Sequence, residues 1–336
     1  MKNILFICGM FLCMTCKKKH QNVRVIPVKE SWIKGELYKN TLPTGAKTTP
    51  VLKKTVLITL SGFEGGHLPK ASLLALAGKG YDVFSLAYVA PPSVLPDKIS
   101  KIPIEYLAKA VNWLKTNTAY KDHSIVLLGV SKGAELALLY GSYYQNIDGI
   151  IAYSPSCLLL PGITSSSDPQ PTQAPWSYQY KPLPFAPVKK LDKSAKIVTY
   201  QKYIEPLLKN VEVLKNAMIK VENIRCPLLL LTGTDDKMWG SEKMARLILY
   251  KLEANFKPKQ AKSVAYEQAG HLFFWFGDSP PSTHSNSWRK SILNTQYQFL
   301  LGGTSDGNQQ AMQKSQQEVL NFLHTLDSRP IKTLSQ

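Results

Sequence analysis

Gly129-Val130-Ser131-Lys132-Gly133 stands between an apolar run, Ser124 to Gly129, and an amphipathic stretch, Lys132 to Tyr144. G-x-S-x-G between a strand and a helix presents a serine hydroxyl at the strand's C-terminal end, on a strained turn. Small residues two positions either side let the strand and the helix approach closely. A serine hydroxyl is a poor nucleophile at neutral pH, so it needs a base, and the base needs an orienting carboxylate. The chain has 6 histidines. His20 follows an apolar leader, His123 precedes a strand and so falls at the wrong end of the sheet, and His324 belongs to the last helical run. His67, in a Gly-rich loop, and His284, in a late polar loop, both suit the border of a site. His271, in Gln268-Ala269-Gly270-His271, comes shortly after a strand and past the acid, as the order serine, acid, histidine demands. The acid belongs to Gly233-Thr234-Asp235-Asp236, after the strand Pro227 to Thr232. Asp236 is preferred, with Asp235 capping the Gly233 turn or the next helix. The oxyanion donors would be the backbone N–H of Lys132 and one from the loop Gly62 to Gly66, that of Phe63. The Lys132 side chain either attracts an anionic substrate or points into solvent. Chemistry of this kind needs no metal and no organic cofactor.

The elements that must position these groups follow a regular rhythm. Val23 to Ile26 and Trp32 to Tyr38 read as two edge strands around a turn. Thr55 to Ser61 is a mostly apolar, β-branched run of the sort buried on both faces of a sheet. A helix follows at Ala71 to Ala77, closed by Gly78-Lys79-Gly80, then a strand at Asp82 to Tyr88. Pro103 is expected to open the next helix, whose Leu107, Ala110, Val111 and Leu114 share one face. The strand at Ser124, the helix at Lys132 and strands Gly149 to Ser154 and Pro227 to Thr232 continue the series. Strands alternating with helices predict an α/β fold with a mostly parallel central sheet and helices on both faces.

Two regions break the rhythm. Residues 157–224 hold a Pro/Ser/aromatic stretch, Ser165 to Pro187, and a helical segment around Tyr203 to Val221. An insertion of that length is expected to be a lid or substrate cap. Its Trp176, Tyr178, Tyr180 and Phe185 either line an apolar tunnel or form the cap's own small core. The last part runs from a strand at Ser263 to Tyr266 into a helix at Asn308 to Leu326.

Composition narrows the class of function. With 336 residues, 44% hydrophobic and 19% charged, the chain can bury a sizeable core, which excludes disorder, collagen and a coiled coil. The net charge of +18 implies an anionic partner, surface or substrate, or only solubility. No RNP-like, zinc-finger or helix-turn-helix signature accompanies it, and the lysines are mostly scattered, so no nucleic-acid partner is expected. Residues 1–16, MKNILFICGMFLCMTC, have the pattern of a signal peptide. The apolar run Ile4 to Met14 rises only about 16 Å as a helix, roughly half a bilayer core. Leu12-Cys13-Met14-Thr15-Cys16 also has the form of a loose bacterial lipobox, with Cys16, or else Cys13, as the lipidated residue. The expectation is an exported protein, lipid-anchored to a bacterial membrane, with residues 17–336 as the mature domain; an ordinary cleaved signal is the second reading, and an unprocessed leader would leave the protein cytoplasmic. Of the 5 cysteines, Cys8, Cys13 and Cys16 lie in the leader. Cys157 and Cys226 fall at opposite ends of the sheet, too far apart to bridge, and are expected as buried free thiols.

Three segments together resemble one family. The elbow and helix start Gly129-Val130-Ser131-Lys132-Gly133-Ala134-Glu135-Leu136, the turn Leu231-Thr232-Gly233-Thr234-Asp235-Asp236-Lys237-Met238-Trp239, and Ala269-Gly270-His271 resemble the catalytic domain of the acyl-CoA thioesterase and bile acid-CoA:amino acid N-acyltransferase family. Gly65-Gly66-His67, Ala71-Ser72-Leu73-Leu74-Ala75 and Gly80-Tyr81-Asp82-Val83 are similar to that family's loop and first helix. The likeness covers roughly residues 55 to 325, and its most specific element is Ser131-Lys132-Gly133-Ala134-Glu135. It implies an α/β-hydrolase fold with Ser131 as nucleophile, Asp236 as acid and His271 as base, acting on acyl thioesters of medium or long chain. The family's N-terminal immunoglobulin-like domain has no room in residues 17–50. An acyl-serine ester suits water as acceptor, whereas an acyl-thiol intermediate would favour an amine, so hydrolysis is expected rather than N-acyl transfer. Export would separate the enzyme from free CoA thioesters, which makes a carboxylesterase on lipid, envelope or dietary esters the second reading. A binding protein with an occluded triad is the third.

Overall fold

The computed structural model describes residues 23–41, 54–89, 96–162, 172–192, 194–195, 197–255, 257–278, 287–289 and 298–328. The leader with Cys13 and Cys16, and His20 and His284, lie outside these residues. Val23–Pro27 (β1) pairs antiparallel with Gly35–Asn40 (β2), Val23 opposite Asn40 and Pro27 opposite Glu36, as the alternating sequence predicts. The strands that follow are Thr55–Leu60 (β3), Asp82–Leu86 (β4), Ser124–Val130 (β5), Gly149–Tyr153 (β6), Leu228–Gly233 (β7) and Ala261–Tyr266 (β8). They join one eight-stranded sheet in the order β1-β2-β4-β3-β5-β6-β7-β8. From β4 to β8 every pairing is parallel, and β2 runs antiparallel to both of its neighbours.

Strand periodicity sorts the core into two layers. Val56, Ile58, Leu60, Ile125, Leu127, Ile150 and Leu230 share one apolar cluster with Glu105–Thr116 (α2), Lys132–Tyr143 (α3) and Ser241–Ala254 (α5). Their neighbours Leu57, Val126, Leu128, Ile151 and Leu229 face the opposite cluster with Lys70–Ala77 (α1) and Ser305–Asp327 (α6). Side chains at successive strand positions point to opposite faces, so continuous apolar strands require helices on both sides.

The boundaries shift at two places. Pro103 does not open α2; Ile102–Pro103 pairs with Trp176–Tyr178 of the insertion, and the helix begins after Ile104. The N–H groups of Ile102 and Ile104 reach the Pro175 and Ser177 carbonyls, and proline stands between them, where no donor is called for. The expected helical segment from Tyr203 to Val221 is broken into a turn at Gln201–Ile204, a 3-10 stretch at Glu205–Lys209 and Val211–Ala217 (α4). Pro206 limits the first pieces, and Asn210 starts α4 by accepting the Val213 N–H at 3.2 Å.

The segment between β6 and β7 folds back over the start of α3. Leu159 donates to Ala217 O at 2.8 Å, Ile219 to Cys157 O at 2.9 Å and Ala186 to Leu159 O at 2.8 Å. Leu158, Leu160, Trp176, Ala186 and Ile219 belong to the same apolar cluster as α2, α3 and α5. Cys157 follows β6 and Cys226 precedes β7, both buried and not bridged to each other, as their positions in the sequence predict. Among the described residues, no helix is long and apolar enough to cross a membrane.

Candidate active site

Ser131 sits between β5 and α3 with φ 58° and ψ −118°, a backbone conformation costing about 1–3 kcal/mol for a residue with a side chain. The turn is held from both directions. The Ser131 N–H donates to Tyr153 O at 2.9 Å, and Ser131 O accepts from the N–H groups of Ala134 and Glu135. The two glycines are there for space: a Cβ on Gly129 would stand 2.2 Å from Gly133 O, and one on Gly133 would stand 2.3 Å from Leu60 O and Ser61 O.

His271 Nε2 lies 2.8 Å from Ser131 Oγ, and its Nδ1 lies 2.9 Å from Asp236 Oδ2. All three residues are buried. An ionised carboxylate can only accept, so Nδ1 carries the proton and Nε2 accepts from the serine hydroxyl. Asp236 Oδ1 also accepts from the backbone N–H groups of Met238 (2.8 Å) and Trp239 (3.2 Å), and Oδ2 from that of Ser241 (3.2 Å). Burial by itself raises the pKa of this carboxyl; the electrostatic interaction with His271 and the hydrogen bonds from His271, Ser241 and Trp239 outweigh it and hold the group below the usual value.

Of the two aspartates in the acid turn, it is Asp236 that the structure brings to the imidazole. Asp235 does not cap the Gly233 turn or α5. Its carboxylate accepts from Gly303 N at 2.8 Å and pairs with Lys237, tying the acid turn to the segment Leu301–Gly303. That segment supports the histidine, because the His271 N–H donates to Leu301 O at 2.8 Å. Gly302 has φ 75°, and a Cβ there would stand 1.8 Å from Asp235 O. Trp239 closes against the imidazole edge-on, with ring centroids 4.5 Å apart.

The Gly-rich loop after β3 comes up beside the serine. A Cβ on Gly62 would stand 3.5 Å from Ser131 Cβ and 3.9 Å from its Oγ. The Tyr88 hydroxyl lies 2.8 Å from Ser61 O and 2.5 Å from Gly62 O, and Gly65 N donates to Gly62 O at 2.9 Å, so the turn that precedes Phe63 is fixed. Phe63 and Lys132, carriers of the two expected oxyanion amides, line one cavity of ≈ 400 Å³ together with Ser131 and His271. His67 borders that cavity, its Nδ1 2.9 Å from Ser85 Oγ. His123 precedes β5 at the far end of the sheet and His324 is exposed on α6, so neither approaches the serine.

Two readings of side chains are corrected. Lys132 neither points into solvent nor waits for an anion: its ammonium is buried on Glu135 at 2.7 Å and on Leu160 O at 2.7 Å. Helical spacing brings positions i and i+3 together, and the insertion covers both. The rings of Trp176, Tyr178, Tyr180 and Phe185 do not line the cavity. Trp176 is buried against Glu135, Tyr178 packs on Tyr143, Phe185 packs half-buried against the apolar cluster shared by α2, α3 and α5, and Tyr180 is exposed. The aromatic wall comes instead from Phe63, Tyr200, Trp239, Phe274, Trp275 and Phe299, of which Tyr200 belongs to the insertion.

The order of the strands, the single antiparallel β2, and a serine after β5, an acid after β7 and a histidine after β8 define an α/β-hydrolase. Within that class, the chain belongs to the family described as BAAT / Acyl-CoA thioester hydrolase C terminal, whose model matches residues 102–327. It is 33% identical over 273 residues to the mitochondrial acyl-coenzyme A thioesterase 2 of Mus musculus, which covers 78% of this chain and 53% of that protein. Against acyl-coenzyme A thioesterase 1 of Rattus norvegicus it is 31% identical over 327 residues, 89% of this chain and 71% of the relative. The chain thus spans about half the length of the first of these relatives. Among solved structures, esterase B from Lactobacillus Rhamnosis aligns with 92% of this chain and 87% of its own, at 12% identity and a TM-score of 0.49.

Proposed function

We propose that the protein hydrolyses acyl thioesters through an acyl-Ser131 ester. The observation that carries this reading is the unbroken array Ser131 Oγ, His271 and Asp236 at 2.8 and 2.9 Å, opening on a cavity walled largely by apolar side chains. Ser131 Oγ attacks the thioester carbonyl while its proton passes to His271 Nε2. The charge that forms on the carbonyl oxygen is met by the backbone N–H groups of Lys132 and Phe63. His271 then returns the proton to the departing thiolate. Water, deprotonated by the same nitrogen, attacks the acyl ester and releases a carboxylic acid, restoring Ser131. Asp236 stays ionised throughout and stabilises the imidazolium.

Family membership and the printed names of the relatives support an acyl-CoA substrate. An ester in its place is the second reading, favoured by residues 1–16, whose pattern supports export and anchoring at Cys16 to a membrane that excludes a CoA pool. Parallel assays with an acyl-CoA and a p-nitrophenyl ester decide: the proposal requires the higher kcat/KM on the thioester, abolished in Ser131→Ala. Faster turnover of the oxygen ester would move the assignment to carboxylesterase. The mass of the mature N-terminus from membrane and soluble fractions tests the anchor, which requires a lipidated Cys16.

A further inference from the structure

The ammonium of Lys132 and the carboxylate of Glu135 form a buried ion pair one turn into α3, with side chains 5% and 0% exposed. Such a pair is expensive to keep, because desolvation of both charges offsets most of their attraction, and apolar residues of the same volume usually hold a fold at least as well. Burial pulls the lysine pKa down and the glutamate pKa up, each opposed by its partner. Its partners show what the pair holds. Lys132 Nζ donates to Leu160 O at 2.7 Å, and Glu135 accepts from Leu160 N at 3.2 Å and from Trp176 Nε1 at 2.8 Å. Two side chains of the elbow helix thus bind both backbone groups of one residue of the insertion and the indole of another. The Trp176 ring lies 5.7 Å from the ring of Tyr88, whose hydroxyl holds the Ser61 and Gly62 carbonyls.

One chain of contacts therefore runs from the amide after Ser131 to the turn that carries Phe63. Resting on the oxyanion reading given above, we infer that Lys132, Glu135, Trp176 and Tyr88 act as positioning residues. They clamp the insertion onto the elbow and set the spacing between the two amides that receive the developing oxyanion. The clamp touches the reacting atoms only through the backbone. It raises kcat while leaving substrate affinity to the cavity walls, since an interaction made only in the transition state appears in kcat.

The test separates positioning from mere support of the fold. Active sites are first counted by stoichiometric labelling with a fluorophosphonate, and kcat is expressed per labelled site. Lys132→Met and Glu135→Gln are expected to lower kcat per site about 10-fold or more with KM within about 2-fold. The double variant Lys132→Met/Glu135→Leu leaves no unpaired buried charge, so it is expected to regain part of the melting temperature lost in the single variants but none of the kcat, because the bonds to Leu160 and Trp176 stay lost. Trp176→Phe and Tyr88→Phe, which remove one donor each and keep an aromatic ring at each position, are expected to lower kcat about 3-fold and to be non-additive when combined. If the double variant recovers kcat together with stability, or if the two ring variants turn over like the wild type, the inference is overturned. A wild-type protein that does not label would instead overturn the serine-hydrolase reading, so the two failures are told apart.

Discussion

The hydroxyl of Ser154 donates a 2.6 Å hydrogen bond to the backbone carbonyl of His271. Ser154 stands just past β6, one strand over from the nucleophile, with φ 47°, a left-handed conformation rarely taken by a residue with a side chain. Its own carbonyl accepts from Trp239 Nε1 at 3.2 Å, and its N–H donates to Leu231 O at 2.8 Å. One strained residue thus fixes the histidine loop and the indole that packs on the imidazole. Strain of this sort persists only where surrounding bonds over-determine it.

Ser154→Ala leaves the His271 carbonyl buried without this donor, at a cost of about 1–3 kcal/mol. The imidazole loses its anchor rather than its partners. The expected outcome is a kcat roughly 10-fold lower with a modest drop in melting temperature, measured by steady-state kinetics and thermal unfolding. Wild-type kcat in a destabilised Ser154→Ala would show that the bond only supports the fold.

The two adjacent aspartates should separate cleanly. Asp236→Asn replaces an oxygen that accepts from His271 with a group that can donate, favouring the wrong tautomer, so kcat is expected to fall about 10³–10⁴-fold. Asp235→Asn removes the Lys237 ion pair but touches no reacting group, and its effect should stay within about 10-fold. Kinetics of the two variants side by side check this, and equal losses would contradict the geometry.

Stability at low pH follows from the same carboxylate. Asp236 is held below its ordinary value of 3.8 in the folded chain, against that value when unfolded. A lowered folded pKa contributes stability that is complete above the unfolded pKa and is lost as pH falls through the folded one. The stability advantage of the wild type over Asp236→Asn should therefore be constant down to about pH 4 and shrink below it. Denaturant titrations of both proteins at several pH values measure the difference; an advantage that grows on acidification would contradict the assignment.

Much of this site was legible in the sequence because its chemistry is local. G-x-S-x-G announces its turn in five residues, and the Asp235-Asp236 turn and His271 each follow a strand. Helix α2 was visible from the spacing of its buried residues. The choice between Asp235 and Asp236 was less so, since it depends on which carboxylate meets the backbone N–H groups of Met238 and Trp239 and which meets Gly303, 68 residues away. Lys132 misled for a related reason: its partners Leu160 and Trp176 come from an insertion whose fold no period reveals. Ser154 and Tyr88 carried no signal beyond ending strands, and the short helix at Val211 was blurred by Pro206 and Asn210.

The central claim is that Ser131 is a nucleophile activated by His271. The most direct measurement is the intact mass and peptide map of the folded full chain after treatment with a fluorophosphonate. The predicted result is one adduct per chain, on Ser131, absent in Ser131→Ala and slowed by several orders of magnitude in His271→Ala. No adduct, an adduct on another residue, or labelling of His271→Ala at the wild-type rate would contradict it.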